Sequence, residues 1–136
     1  TITAVDASKE MLRHLQTVKG ISSLQMDITK LSLNKKFDGI WASFSVQHLE
    51  KTDQDSLIHK VPNLLKEGGI FYLGIHEGNQ SYRDQLGRLD VPRIEDDLAG
   101  IFYALKLSII KIFKERSSSF DGKQINVMHI FSQFSN

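Results

Sequence analysis

The sequence predicts an α/β fold in which a mostly parallel sheet carries helices on both faces and ends in an antiparallel hairpin. Short apolar runs alternate with segments of helical periodicity along most of the chain, which is the pattern of strand–helix–strand units. Asp6 and Asp27 directly follow two of these runs, at the carboxyl ends of strands, where open parallel sheets bind ligands. The last two runs are separated by the turn-forming residues 117–122, which favours a hairpin.

The first unit of this pattern is a strand that ends in a carboxylate and is followed by a helix. Ile2, Ala4 and Val5 form a short apolar strand that ends at Asp6. Ser8 is a suitable N-cap for a helix over residues 9–15. A second strand is predicted over residues 23–26, again followed by a carboxylate, that of Asp27. This repetition places two acidic side chains at the ends of neighbouring strands.

The middle of the chain predicts a second strand–helix–strand unit. Residues 37–43 form an apolar run that is typical of a central strand. A helix is predicted from Thr52, which forms a capping-box pattern with Asp55. Gly68 and Gly69 are expected to close that helix, and residues 70–75 form the next buried strand.

The segment 76–93 is long and polar, and we interpret it as a possible lid or acceptor-binding excursion. It contains Arg83, Arg88 and Arg93, which could bind an acidic ligand. The favoured reading is a solvated loop, because acidic residues at positions 84, 90 and 95–97 balance these charges. After it, a helix is predicted over 95–105 and strands over 107–115 and 124–134.

Composition limits the classes of function. The 136 residues suit one domain, and a formal net charge of +1 gives no electrostatic reason to expect nucleic acid or an acidic membrane as partner. No cysteine is present, so a disulfide framework, a thiolate nucleophile and a Cys-based metal site are excluded. The apolar stretch 101–113 contains two lysines and is too short for a bilayer. We therefore predict a cytoplasmic protein that binds no metal.

Several ordered motifs resemble those of class I S-adenosylmethionine-dependent methyltransferases, a Rossmann-like family. No single motif is decisive, but their order and spacing together are typical of that family. The resemblance covers residues 1 to about 75, and the tail is compatible with the family's closing antiparallel hairpin. The motifs are Val5-Asp6-Ala7-Ser8, Met11-Leu12, Met26-Asp27, residues 37–42 with Gln47-His48-Leu49, and Leu65-Lys66-Glu67-Gly68-Gly69-Ile70.

The resemblance implies that S-adenosylmethionine is the cofactor and that its adenosine half lies near the first two strands. Asp6 would then bind the ribose hydroxyls, and Met11, or Ala7 nearby, would pack beside the adenine. Asp27 would accept a hydrogen bond from the exocyclic amine, and the Ile28 amide is a possible second contact. The alternative for Asp6 is a charge that only stabilises the following helix N-terminus; the presence of Asp27 favours the ligand.

The resemblance also implies that Ala42 and Ser43 line the methionine part of the cofactor. His48 lies in the crossover after the central strand, where packing or helix capping is the favoured role and substrate contact the alternative. His76 and Glu77 follow the next strand and are better candidates for polar contacts to the acceptor. No catalytic residue is assigned, because methyl transfer from a sulfonium mainly requires positioning.

We therefore predict S-adenosylmethionine-dependent methyl transfer to a small-molecule acceptor in the full-length protein. The family's first central strand and its glycine-rich motif should precede Thr1. Residues 1–136 are accordingly interpreted as a single partial methyltransferase domain, which we expect to be inactive by itself. A non-catalytic, methyltransferase-like interaction module is the alternative, and a nicotinamide-dependent oxidoreductase is a more distant one.

Overall fold

A computed structural model describes residues 1–136, and the chain divides into two compact units, residues 1–33 and 34–136. The fold class is the predicted mixed α/β class, and it contains both parallel and antiparallel strand pairs. No helix has the length and apolar character of a membrane span.

The first unit is a parallel strand pair with a short helix between the strands. Strand β1 spans Ile2–Asp6, helix α1 spans Lys9–Arg13, and strand β2 spans Ile21–Gln25. The side chain of Ser8 accepts a hydrogen bond from the Met11 amide at 3.2 Å, which confirms the predicted N-cap. A 3₁₀ helix at Ile28–Lys30 follows β2, and Asp27 caps it.

The second unit is built on a four-stranded sheet of order β3-β4-β8-β7. Strand β3 pairs with β4 in parallel, and the pairs β4–β8 and β7–β8 are antiparallel, so the predicted terminal hairpin is confirmed. Two further short strands, β5 and β6, form a separate antiparallel ribbon. The elements of this unit are β3 (Phe37–Ser43), α2 (Lys51–Leu64), β4 (Leu65–His76), β5 (Tyr82–Arg83), β6 (Leu89–Asp90), α3 (Glu95–Ala104), β7 (Leu107–Ser118) and β8 (Gln124–Phe134).

Helices α2 and α3 share one core with the same face of the sheet. Phe71, Leu73 and Ile75 alternate along β4, so their side chains leave the sheet on one side. Ile58 of α2 and Phe102 of α3 belong to the same buried cluster. The opposite face carries aromatic side chains instead, with Trp41 stacked on Tyr72 at a centroid distance of 3.9 Å.

The start of β4 differs from the predicted helix end. Helix α2 ends at Leu64, and the chain enters β4 at once. Gly68 does adopt the expected left-handed conformation, with φ of 76°. It lies in an irregularity of the strand, because the register moves from Phe37 opposite Leu65 to Gly39 opposite Ile70.

The predicted capping box of α2 is wrong. Glu50 is the N-cap residue, and no side chain caps the helix. Asp55 binds Arg93 instead, with 2.7 Å between its Oδ1 and Nη1 of the arginine. The side chain of Arg93 is only 2% exposed, so the reading of this arginine as part of a solvated loop is wrong too. A local sequence pattern could not show that the distant residue 93 folds back onto α2.

Candidate active site

Within the first unit, Asp6 and Asp27 lie at the carboxyl ends of the two paired strands. Asp6 stands opposite Gln25 in the parallel register, and its Oδ1 accepts a hydrogen bond from the Ser8 amide at 2.8 Å. Oδ1 of Asp27 accepts from the amide and the hydroxyl of Thr29 at 2.9 and 2.8 Å. The Thr29 hydroxyl, and then its amide, hold the pKa of Asp27 below its ordinary value.

The other predicted adenosine contacts of this unit follow the same two strand ends. The Ala7 carbonyl accepts a hydrogen bond from the Gln25 side chain at 3.2 Å. Met11 lies on α1 with 59% of its surface exposed, and Ile28 begins the 3₁₀ helix. Carboxylate oxygens suit the hydroxyl and amine donors of adenosine, and an exposed thioether suits an aromatic ring. The residues present therefore fit the expected group, while each assigned contact stays a prediction.

Within the second unit, Ala42 and Ser43 are the last two residues of β3. Ala42 packs against the core cluster, and Ser43 is exposed and stands opposite Gly74 of β4. Their predicted contact with the methionine part of a cofactor stays a prediction.

A cavity of about 280 Å³ opens where β3 and β4 end. One wall is the crossover, the segment 44–50 that follows β3, and another is the end of β4. The excursion that contains β5 and β6 and the tip of the β7–β8 hairpin form the other walls. The carboxyl ends of parallel strands are the usual position of ligands in such sheets. This position makes the cavity the candidate acceptor site of the second unit.

The crossover wall is strained and tightly held. Phe44 has a φ of 53°, an uncommon backbone conformation for a bulky residue. Its amide donates to the Gly74 carbonyl at 2.8 Å, and its carbonyl accepts from Nε2 of Gln47 at 2.9 Å. This bond orients the Gln47 amide and leaves its buried Oε1 without a hydrogen-bond partner. The backbone strain is located at the cavity.

His76 and Asp90 are close neighbours in the cavity wall. Nδ1 of His76 lies 2.8 Å from Oδ2 of Asp90, and the two side chains are 14% and 4% exposed. Nδ1 of His76 forms no well-aligned hydrogen bond with this oxygen, and the other carboxylate oxygen, Oδ1 of Asp90, is also buried without a hydrogen-bond partner. Burial, and then the negative charge of Asp90, raise the pKa of neighbouring Tyr82 to about 12.

Two carboxylates at the rim of the cavity, those of Asp84 and Asp121, are held by hydrogen bonds. Desolvation raises the pKa of Asp84, but hydrogen bonds from the amide and guanidinium of Arg88 outweigh it and hold that pKa below its ordinary value. The guanidinium Nε lies 2.8 Å from Oδ2 of Asp84. A hydrogen bond from the Ser119 hydroxyl, and then one from the Lys123 amide, lower the pKa of Asp121. These carboxylates are ionised at neutral pH.

The structure brings two of the three predicted acceptor contacts to the cavity. His48 and His76 line it, and Nδ1 of His48 lies 2.9 Å from the Leu89 carbonyl. Glu77 does not line it, because its Oε2 binds Lys114 at 2.7 Å. The binding roles of all three stay predictions.

Sequence reasoning missed Gln47, Tyr82 and Asp90 as individual candidates, although the motif around Gln47 and the polar excursion had both been singled out. The sequence places Asp90 among the solvated charges of the excursion, whereas it is 3% exposed. The pairing of Tyr82 with Asp90 in the ribbon explains this burial. A two-residue strand carries no periodicity from which it could have been predicted.

Comparison with solved structures defines the class of the fold. A methyltransferase from Methanosarcina mazei, described as S-adenosylmethionine-dependent, matches with a TM-score of 0.82 at 16% identity, over 98% of this chain and 81% of that chain. The 1,6-didemethyltoxoflavin-N1-methyltransferase of Burkholderia thailandensis, with bound 1,6-didemethyltoxoflavin and S-adenosylhomocysteine, matches with a TM-score of 0.75 at 17% identity, over 98% of this chain and 61% of that chain. The fold is therefore the Rossmann-like fold of S-adenosylmethionine-dependent methyltransferases.

The N-methyltransferase NodS of Bradyrhizobium japonicum, in complex with S-adenosylhomocysteine, matches with a TM-score of 0.69 at 17% identity, over 98% of this chain and 66% of that chain. The chain thus spans less than two thirds of the length of the NodS and Burkholderia structures. Among curated proteins, none matches the sequence significantly. A family model described as a methyltransferase domain matches residues 1–69. The chain belongs to this methyltransferase domain family.

Proposed function

We propose that the full-length protein transfers a methyl group from S-adenosylmethionine to a small-molecule acceptor. The observation that carries this proposal is the pair of carboxylates at the ends of β1 and β2 in a chain of the methyltransferase domain family. The structures with bound S-adenosylhomocysteine support the choice of cofactor. When bound, the cofactor supplies an activated methyl group, so the protein itself need only bind, orient and exclude water.

Asp6 and Asp27 are the proposed anchors of the adenosine part. Hydrogen bonds from the Ser8 amide and from Thr29 fix one oxygen of each carboxylate, which orients the side chains before a ligand arrives. Their remaining acceptor capacity is available to the ribose hydroxyls and the adenine amine. Met11 and Ile28 supply the apolar and backbone contacts, and Ala42 and Ser43 are assigned to the methionine part.

The cavity beside His48 and His76 is the proposed acceptor site. Its volume of about 280 Å³ suits a small molecule and is too small for a folded partner. The Burkholderia structure contains bound 1,6-didemethyltoxoflavin, which is consistent with a small-molecule acceptor. The excursion 76–93 is the proposed acceptor-binding segment, because it supplies a wall of the cavity.

Calorimetric titration of the full-length protein with S-adenosylhomocysteine tests the cofactor assignment. We expect Asp6→Ala to weaken binding by roughly 10- to 100-fold, because it removes charge-assisted hydrogen bonds worth about 1.5–3 kcal/mol. Asp27→Ala should weaken it by a similar or smaller factor, since its carboxylate is exposed.

Asp53→Ala is the matched control, because Asp53 is an exposed carboxylate of α2. It should leave the dissociation constant unchanged. Equal affinity of the parent protein and the Asp6→Ala variant would show that the carboxylate is not an anchor. No binding at all by a folded full-length protein would favour the non-catalytic interaction module.

A further inference from the structure

The cavity collects most of the chain's buried polar atoms that lack a hydrogen bond. Four buried side-chain nitrogen or oxygen atoms have no hydrogen-bond partner, and three of them belong to residues that line this cavity. They are Oε1 of Gln47, Nδ1 of His76 and Oδ1 of Asp90. One of the three, Nδ1 of His76, nevertheless lies 2.8 Å from Oδ2 of Asp90. Nearly all buried polar atoms in folded proteins are paired, because an unpaired one costs about 1–3 kcal/mol. The other two, on Gln47 and Asp90, are acceptors without a donor, and together they indicate a site that suits a ligand with hydrogen-bond donors.

The chemistry of these atoms selects hydrogen-bond donors. Oε1 of Gln47 and Oδ1 of Asp90 can only accept, and the orientation of the Gln47 amide is fixed by its bond to the Phe44 carbonyl. A ligand that satisfies both must present two donors. A single hydroxyl group supplies one donor, whereas a single amine, amidine or amino-substituted heterocycle supplies two or more from one nitrogen group.

The charges around the cavity favour a neutral or cationic ligand over an anion. Its lining contains three carboxylates, Asp84, Asp90 and Asp121, against the cationic side chains of Arg88 and Lys123. Arg88 is already paired with Asp84, at 2.8 Å. Asp90, the most buried carboxylate of the three, has no Lys or Arg partner, and its close neighbour is His76. An anionic acceptor would face this carboxylate in a site of low dielectric constant.

The pair of His76 and Asp90 is arranged to take up a proton. A carboxylate beside Nδ1 favours the tautomer that carries its proton on Nδ1, and this leaves the lone pair on Nε2 free. Nε2 forms no hydrogen bond within the chain, and His76 lines the cavity. The ring is also held by Phe44, with a centroid distance of 6.0 Å. A base with a fixed ring and a free nitrogen is suited to accept a proton from a ligand in the cavity.

We propose that the cavity binds an acceptor whose nucleophile is a nitrogen carrying two or more N–H donors, and that His76, oriented by Asp90, accepts the proton which that nitrogen loses. This inference rests on the proposed methyl transfer. In the step, an N–C bond forms while the C–S bond of the methyl donor breaks, and the bonding electrons stay on sulfur. The proton passes from nitrogen to Nε2 of His76 and then to water.

Binding of a matched pair of probes tests the ligand class without turnover. In the full-length protein saturated with S-adenosylhomocysteine, 2-aminobenzimidazole presents N–H donors, and 1,2-dimethylbenzimidazole has a similar shape without them. We expect the amino compound to bind at least about tenfold more tightly, and benzoate to bind more weakly than either. Equal affinities, a preference for benzoate, or no binding of the amino compound would overturn the proposal.

Variants assign the preference to the named atoms. Gln47→Met and Asp90→Asn should each reduce the tenfold preference to about threefold or less, because each removes an acceptor. Asp97→Asn is the matched control, since Asp97 is on α3 outside the cavity lining, and it should keep the preference. A preference that survives in folded Asp90→Asn protein would overturn the role of this carboxylate.

Nitrogen NMR of the imidazole rings tests His76 directly. We expect the Nε2 resonance of His76 to move when 2-aminobenzimidazole binds, whereas His59, which is exposed on α2, should not respond. An unchanged His76 resonance at saturation would overturn its role as proton acceptor. Loss of S-adenosylhomocysteine binding would instead contradict the proposed methyl transfer, so the two failures are distinguishable.

Discussion

The hydroxyl oxygen of Tyr72 lies 2.5 Å from the position that a Cβ atom would occupy at Gly74. The two residues are on the same face of β4, and the tyrosine ring extends along the strand over the glycine. A Cβ atom at Gly74 would also approach Phe44 at 3.2 Å. The missing side chain at position 74 therefore makes room for the ring that reaches toward the cavity end of the sheet.

Replacing Gly74 should destabilise the chain. Gly74→Ala forces Tyr72 and Phe44 to move, and such overpacking costs about 1–3 kcal/mol. Urea denaturation measures the free energy of unfolding. Gly100→Ala is the matched control, because Gly100 lies in α3 with no atom within 4 Å of an added Cβ. It should raise that free energy by about 0.5–1 kcal/mol, and a loss of stability there would contradict the packing argument.

Tyr72 also joins two strands through a histidine. Its hydroxyl lies 2.9 Å from Nδ1 of His129, and Nε2 of His129 lies 2.9 Å from the Glu115 carboxylate. Tyr72→Phe removes the partner of Nδ1 and should lower the free energy of unfolding by about 1 kcal/mol. Tyr103→Phe should change it by less than about 0.5 kcal/mol, because Tyr103 is 88% exposed. Similar effects of the two substitutions would show that the contact with His129 is not stabilising.

The buried guanidinium of Arg93 depends on Asp55. The 2.7 Å pair leaves the arginine 2% and the aspartate 31% exposed. Asp55→Ala should lower the free energy of unfolding by about 3 kcal/mol, at the low end of the range of roughly 3–5 kcal/mol for breaking buried pairs, because solvent reaches Asp55. Asp53→Ala removes an exposed carboxylate two residues earlier and should cost less than about 1 kcal/mol. Chemical denaturation of both variants checks the difference.

Stability should fall at high pH because of Tyr82. Burial, and then the charge of Asp90, raise its pKa in the folded chain to about 12 from an ordinary value of 10.0. The folded state therefore retains its proton where the unfolded state has lost it, and ionisation favours unfolding in this window. The contribution of Tyr82 is fully present below pH 10 and is lost as the pH rises toward about 12.

The free energy of unfolding, measured from about pH 9 to about pH 12 in the parent protein and in Tyr82→Phe, tests this prediction. The range includes the ordinary and the raised pKa of Tyr82. The variant should show a shallower decline over the upper part of the range. Tyr103→Phe, at an exposed position, should keep the decline of the parent protein. An equal slope in all three proteins would contradict a raised pKa for Tyr82.

Much of the fold was predictable because the signals are local. Strand β3 has the predicted bounds, Phe37–Ser43, and helix α3 begins at the predicted Glu95. Strand β8 has its predicted limits, Gln124–Phe134. Apolar runs, N-cap residues and turn residues act over a few positions, so they can be read from neighbouring letters. The candidate adenosine contacts in the first unit come from the family resemblance, and they stay predictions.

The acceptor cavity was predictable only as a region. The excursion 76–93 and the two histidines at its border are at the cavity, but its polar wall depends on pairings between distant segments. His76 meets Asp90 only because the chain returns through a two-residue ribbon. Arg93 is buried because its amide bonds the His76 carbonyl at 3.0 Å and its guanidinium reaches α2.

The sequence by itself determined the order of the longer strands and helices, the family resemblance and the carboxylates at the ends of β1 and β2. Tertiary structure alone decided which charges are buried, which polar atoms of the cavity lack partners, and that Glu77 binds Lys114. The physical reason is the range of the interactions. Periodicity and capping depend on residues within about one turn or one strand, whereas burial and ion pairing are set by residues that the folded chain brings together from far apart.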